Sequence, residues 1–309
     1  MIIGHKRILD FLKKSASNKR LAHAYLFTGQ AHLGKKRVAT EFIKILNGQE
    51  LGEGINPDVL IVEPEILEKE GVTKELEIGI SQARKIQHQM SLSPYQALYK
   101  IALIDRAEKM TRDASNCLLK TLEEPIGKAI LILITSNPQL LLPTIVSRCQ
   151  LINFLPVRED EIRKGISSKS LDDKTLSQII RLSNGRPGLA IQYLNDQSLL
   201  DDQNRIIGQL EKILRMDING RYQYVEEIAK DVPKARMILN YWLFWFRDLL
   251  LLGTGCPDLV LYSQALQYKG SYSLPKLKKI IQAIKKTDWY LSNSSINARL
   301  ALEVLMLEL

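Results

Sequence analysis

Apolar residues in the first half of the chain fall in runs too short for core helices: AYLFT, DVLIVEP, KIALID and AILILITS. Runs of this kind, bounded by turn residues, are what strands buried on both faces of a sheet look like. Between them stand segments of helical period, KKRVATEFIKIL, SQARKIQHQM and DASNCLLKTLEEP, which supply the crossovers of a parallel sheet. The pattern predicts a doubly wound α/β domain over 1–155, entered by an amphipathic helix in MIIGHKRILDFLKK. After QLINFLPV the strand signals stop. EDEIRKGI and SLDDKTLSQIIRLSNGRPGLAIQYL predict two or three short helices forming a small domain over 156–204, and a third, all-helical domain is expected over 205–309.

Two segments of the last region invite a choice. Aromatics interleaved with leucine in NYWLFWFRDLLLL could form a ligand platform, but at helical spacing they are read as core or subunit interface. KLKKIIQAIKK could track a phosphate backbone, although a solvated face of an amphipathic helix explains it as well. Neither 130–135 nor 249–252 approaches the ~18 apolar residues of a membrane span.

Composition narrows the class without naming it. At 309 residues, 45% hydrophobic and 25% charged, the chain is an ordinary folded protein of two or three domains rather than a peptide or a disordered segment. Lys plus Arg number 43 against 34 acids, a net +9, which permits contact with nucleic acid without requiring it. Cys117, Cys149 and Cys256 form no C-x-x-C pair, so neither a disulfide framework nor a four-cysteine zinc site is expected, and a reducing, cytoplasmic location follows. The N-terminus carries no apolar stretch with a small-residue cleavage site.

Gly29-Gln30-Ala31-His32-Leu33-Gly34-Lys35 follows a strand and opens a helix. That is the context of a P-loop, in which glycines let backbone N–H groups wrap a phosphate and the lysine reaches it. A βα turn with a chance lysine is the plainer alternative. A working P-loop places Ser or Thr next, to hold Mg²⁺; this chain has Lys36. The strand KIALID ends in Asp105, where a Walker-B aspartate would face the metal, but Arg106 follows in place of an acid and the nearest carboxylate is Glu108. Asn137 closes a third strand at a sheet end where ligands bind, or is simply a turn residue. Ser147-Arg148-Cys149 says little alone, since an arginine there is by default a surface ion-pair partner.

The blocks LAHAYLFTGQAHLGKKRVA, ISQARKIQHQMSLSPYQALYKIALIDRAEKMTRDASNCLLKTLEEP, LILITSNPQLLLPTIVSRCQ and NSSINARLALEVLML resemble the AAA+ clamp-loader family, and more closely its δ′ branch in bacterial DNA polymerase III. The resemblance covers the chain, strongly in the first half and loosely after Pro156. It implies an AAA+ P-loop domain, a helical lid, and a helical collar through which five subunits form an open ring. It also implies that Arg148 of the SRC motif, with Ser147 and Cys149, serves as an arginine finger in a neighbour's ATP site.

Lys36 and Arg106 depart from the hydrolysing γ/τ-type members. If Gly185 matches the family's lid glycine, Gly188 stands at the sensor-arginine position, with Arg186 nearby. The resemblance thus implies a largely non-hydrolysing subunit with a degenerate nucleotide site (Gly29, Gly34, Lys35, Asp105, Asn137), nothing tightly bound, and ATP and Mg²⁺ in the neighbour. An ATP-hydrolysing γ/τ-type subunit is the alternative. Expected partners are γ/τ and δ subunits, the sliding clamp and primer-template DNA, with no membrane. Many relatives carry a four-cysteine zinc module after the P-loop helix; NGQELGEGINPD has no cysteine, so no zinc is expected.

Overall fold

The computed structural model describes residues 2–48, 56–69, 72–125, 127–166, 173–196, 198–292 and 296–309. The chain forms two compact units, Met1–Leu194 and Asn195–Leu309. In the first, the elements run α1 (Lys6–Ser17), β1 (Ala24–Thr28), α2 (Lys35–Asn47), β2 (Val59–Val62), β3 (Ile66–Lys69), β4 (Val72–Glu75), α3 (Ile80–Ser91), β5 (Lys100–Ile104), α4 (Arg112–Glu123), β6 (Ala129–Thr135), α5 (Pro143–Val146), β7 (Gln150–Asn153), α6 (Glu159–Ile166), α7 (Asp173–Ser183) and α8 (Pro187–Asn195). Five strands make one parallel sheet in the order β2-β5-β6-β1-β7. This is the parallel α/β architecture that the resemblance implies, with helices α6–α8 following it.

Alternation along the strands assigns the two faces. Ala24 and Leu26, Ala102 and Ile104, and Leu131 and Leu133 pack against Ala83, Ile86 and Met90 of α3 and Leu118 and Leu122 of α4. Their neighbours Tyr25 and Phe27, Ile101 and Leu103, and Ile130, Ile132 and Ile134 pack against Leu12 of α1 and Val38, Phe42 and Ile43 of α2. A strand with period two and helices on both sides can bury every residue only in this way.

β1, β5 and β6 are buried at every position, as their unbroken apolar runs predict. β2 and β7 are not: they are the sheet edges, and in β7 only Ile152 is buried. The polar antiparallel pair β3–β4 gave no strand signal in the sequence.

A buried ion pair ties the outer edge together. Asp58 accepts backbone N–H bonds from Tyr95, Gln96 and Ala97 at 2.7, 2.7 and 2.8 Å, and its Oδ1 lies 3.2 Å from Lys100 Nζ. Burial pushes this carboxyl up, but the three amides and the ammonium outweigh it and hold it at about 2.

The second unit contains α9 (Ser198–Arg215), α10 (Ile218–Ile228), α11 (Val232–Gly253), α12 (Leu274–Leu291) and α13 (Ala298–Glu308). Asp217, Asp231, Ser273 and Asn297 cap α10 to α13, each accepting an N–H three residues on. Trp242, Trp245 and Phe246 are fully buried, so this part of the aromatic segment is core. Asp248, also fully buried, accepts N–H bonds from Leu261 and Tyr262 at 2.7 Å each. α13 buries Ala301, Leu302, Leu305 and Met306 but leaves Leu300, Val304 and Leu307 exposed at i, i+4 and i+7. Among the described residues no helix is long and apolar enough to cross a membrane.

Candidate functional site

The C-terminal ends of β5 and β6 and the loop after β1 surround a cavity of about 310 Å³. Gly34, Lys35, Lys36 and Asp105 line it, with Ile2, Ile3, Thr135 and Ser136 and with Pro187 and Gly188 of α8. Gly29 and Asn137 do not. Asn137 instead donates its N–H to Thr135 Oγ1 at 3.0 Å.

The glycines of the loop have structural reasons independent of any ligand, packing at Gly29 and backbone conformation at Gly34. Gly29 has φ +136, and a Cβ there would lie 2.4 Å from the Phe154 carbonyl oxygen, so the chain leaving β7 excludes any side chain. Gly34 has open space but φ +89 as the N-cap of α2, a conformation that favours glycine. The carbonyls of Gly29, Gln30, His32 and Leu33 are engaged. Lys35 Nζ donates to Gly29 O, to Gln30 O at 2.7 Å and to Ser136 Oγ at 3.3 Å. His5 Nε2 donates to Leu33 O at 2.8 Å, and Gly188 N–H donates to His32 O at 2.8 Å. The lysine that would reach a phosphate is thus folded back on its own loop. It is buried, and that desolvation draws its pKa down to about 8 against the pull of Glu108 and Asp105.

The metal end of the site is altered. Lys36 Nζ lies 2.5 Å from Glu63 Oε1 and 3.8 Å from Asp105 Oδ2. Strand register explains the trio: β2 and β5 pair with Val62 opposite Ile104, which sets Glu63 beside Asp105 at adjoining strand ends. Burial raises the Asp105 carboxyl above its usual value and Glu63 adds to that, while Lys36 opposes both. Arg106, where a water-orienting acid is wanted, pairs with Glu75 of β4.

Glu108 approaches the site from the next turn. Its Oε1 accepts the Ser136 N–H at 3.3 Å and its buried Oε2 has no partner. The Mg²⁺ of a working P-loop does not fit here, because an ammonium holds the aspartate that would bind it and no hydroxyl follows Lys35. Among the described residues no group of three His, Cys, Asp or Glu side chains could hold a metal ion; of the segment 47–58, where the zinc module was considered, residues 49–55 lie outside them.

The start of α8 meets the loop by direct backbone contact. A Cβ on Gly188 would meet His32 O at 2.8 Å and His32 Cα at 3.2 Å. Gly188 therefore lines the cavity and has room for no side chain. Arg186 does not line it; its Nε donates to Ser183 O at 3.0 Å.

Arg148 stands apart from this cavity. It follows the single turn α5, where Ser147 Oγ donates to Thr144 O at 3.1 Å. Cys149 packs against the core under α4, and burial pushes its thiol up to about 12. The three residues are thus a helix cap, an ion-paired cation and a core contact. The guanidinium is partly exposed, with Nη2 2.8 Å from Glu123 Oε1 and Nη1 3.0 Å from Thr144 O. Glu63 and Glu123, the two acids that hold the cations of interest, were missed in the sequence. The only cue was that DVLIVEP and LLKTLEEP each carry acid just before a closing proline.

Residues 4–158 match the family profile described as DNA polymerase III, delta subunit. The DNA polymerase III subunit delta′ of Bacillus subtilis is 25% identical over 293 residues, covering 89% of this chain and 86% of its own length. The delta′ subunit of Pseudomonas aeruginosa is 27% identical over 314 residues, covering 93% and 91%. The tau subunit of Bacillus subtilis is 27% identical over 280 residues, covering 82% of this chain but 50% of tau. With the profile spanning half of the chain and the delta′ relatives nearly all of it, the chain belongs to the delta′ family of DNA polymerase III clamp-loader subunits.

Proposed function

We propose that this chain is a largely non-hydrolysing stator of the clamp loader, one that supplies Arg148 in trans to a neighbouring subunit's ATP site while the sliding clamp is loaded onto primer-template DNA. The observation that carries the reading is the Lys36 ammonium lodged between Glu63 and Asp105. A fixed positive charge there repels a divalent cation and occupies the aspartate that would bind it. Hydrolysis in this chain's own loop is then without its metal, and Lys35 spends its donors on loop carbonyls.

In this reading Arg148 takes the complementary task. A guanidinium against a γ-phosphate offsets the charge that develops on transfer, an effect worth about 10³–10⁵-fold in kcat. The partners in this reading are γ/τ and δ subunits, and α13's exposed Leu300, Val304 and Leu307 offer an apolar stripe for collar assembly. DNA contact belongs to the assembled ring.

The rival reading, a γ/τ-type ATPase, is favoured by one observation: the unpartnered Glu108 oxygen near Lys35 could serve as an acid beside the phosphates. ATP turnover by the isolated chain separates the two. The stator reading expects none above background, with or without Mg²⁺. Turnover that is lost in Lys35→Ala overturns it.

A further inference from the structure

α5 is a single turn in which the N–H groups of Ser147, Arg148 and Cys149 donate to the carbonyls of Pro143, Ile145 and Val146, so Thr144 O is left to take the two side-chain donors Ser147 Oγ and Arg148 Nη1. The other terminal nitrogen of Arg148 is held by Glu123 at 2.8 Å. Glu123 is the last residue of α4 and Glu124 follows it, which puts two carboxylates at the negative end of a helix, where they oppose the dipole. A locally unfavourable acid that faces an arginine of proposed function points to a role beyond the helix.

The two residues ride on one layer of the core. Leu118 and Leu122 of α4 and Ile145 of α5 are buried in the same cluster, with Val146 and Cys149 packed against it. The carboxylate therefore has a fixed position relative to the backbone that carries the guanidinium. An arginine side chain at a surface samples many rotamers, and two contacts on a planar fork remove most of them.

We propose that Glu123 is the positioning residue for Arg148, an inference that rests on the trans role proposed above. The charged contact is the stronger of the two, so Nη2 stays on Glu123 while Nη1 exchanges the neutral Thr144 carbonyl for the neighbour's phosphate. Glu123 then sets the approach of the guanidinium without touching nucleotide itself.

The test uses the chain reconstituted with γ/τ and δ subunits, and reads the DNA-stimulated ATPase. The rate lost in Arg148→Ala defines the arginine-dependent part. Glu123→Gln and Glu123→Ala should each lower that part of kcat about two- to fivefold, the range of a partly exposed pair, with KM for ATP and the melting midpoint of the free chain unchanged. Glu123→Gln added to Arg148→Ala should cost nothing more, because the two act as one unit.

If Arg148→Ala loses the rate and Glu123→Gln keeps it, the positioning proposal fails and the trans role stands. If Arg148→Ala keeps the full rate, the trans role itself fails. A change in KM alone, or a further loss in the double variant, would show that Glu123 acts otherwise than through Arg148.

Discussion

Gly188→Ala puts a single methyl group into the contact between the lid and the loop. The new Cβ would lie 2.8 Å from His32 O, 3.2 Å from His32 Cα and 3.3 Å from its carbonyl carbon. All three atoms are backbone, so no flexible side chain can move aside. Opposing this, alanine favours a helix over glycine by up to about 1 kcal/mol. Overpacking costs ~1–3 kcal/mol, and the 2.8 Å bond from Gly188 N–H to His32 O, if stretched, costs about 1 kcal/mol more.

The steric terms win, with a net loss of about 2 kcal/mol. For a unit the size of Met1–Leu194 that lowers the melting midpoint by ~4–8 °C. Gly208→Ala is the matched control: it lies inside α9 with nothing within 4 Å of the added Cβ, and should gain about 0.5–1 kcal/mol. Calorimetry on both variants of the full chain reads the difference. A Gly188→Ala chain that melts at or above the wild-type temperature refutes the reasoning, because the lid would then have room that the backbone contact denies.

Other expectations follow from single side chains. The Asp58 carboxyl titrates at about 2, below the usual 3.8, so its stabilisation is complete above about pH 4 and is lost as the pH falls toward 2. That loss amounts to about 2 kcal/mol. In Asp58→Asn, urea unfolding between pH 2 and 5 should lose this component of its pH dependence while stability at pH 7 drops; an unchanged pH profile would contradict the assignment. Thiol labelling of the native chain at pH 8 should modify the exposed Cys256 well before Cys149, whose thiol is pushed up to about 12. Equal rates would mean that the half-buried Cys149 thiol is not held against the core.

The interior of the α/β unit was legible because its strands announce themselves. In β1, β5 and β6 every residue is buried, and an unbroken apolar run admits few other readings. The edge strand β7 was not legible: with Ile152 alone buried of four residues, QLIN carries neither a run nor an alternation. β3 and β4 pair only with each other, and ILEK and VTKE show no apolar face.

The candidate site divides along the same line. Lys35, Lys36, Asp105 and Arg148 could be read from local motifs. Glu63, Glu123 and the His32–Gly188 contact could not, because each joins segments distant in sequence through strand register or helix packing. Gly29 was read as a phosphate residue, and the approach of Phe154 O supplies a packing reason for it that no motif could disclose.

In the proposed function this chain acts on another subunit's nucleotide and not on its own. The most direct measurement is the DNA-stimulated ATPase of the assembled loader carrying, in this chain alone, either Arg148→Ala or Lys35→Ala. A depressed rate is expected with the first and an unchanged rate with the second. The opposite pair of results, an intact rate without Arg148 and a lost one without Lys35, contradicts it.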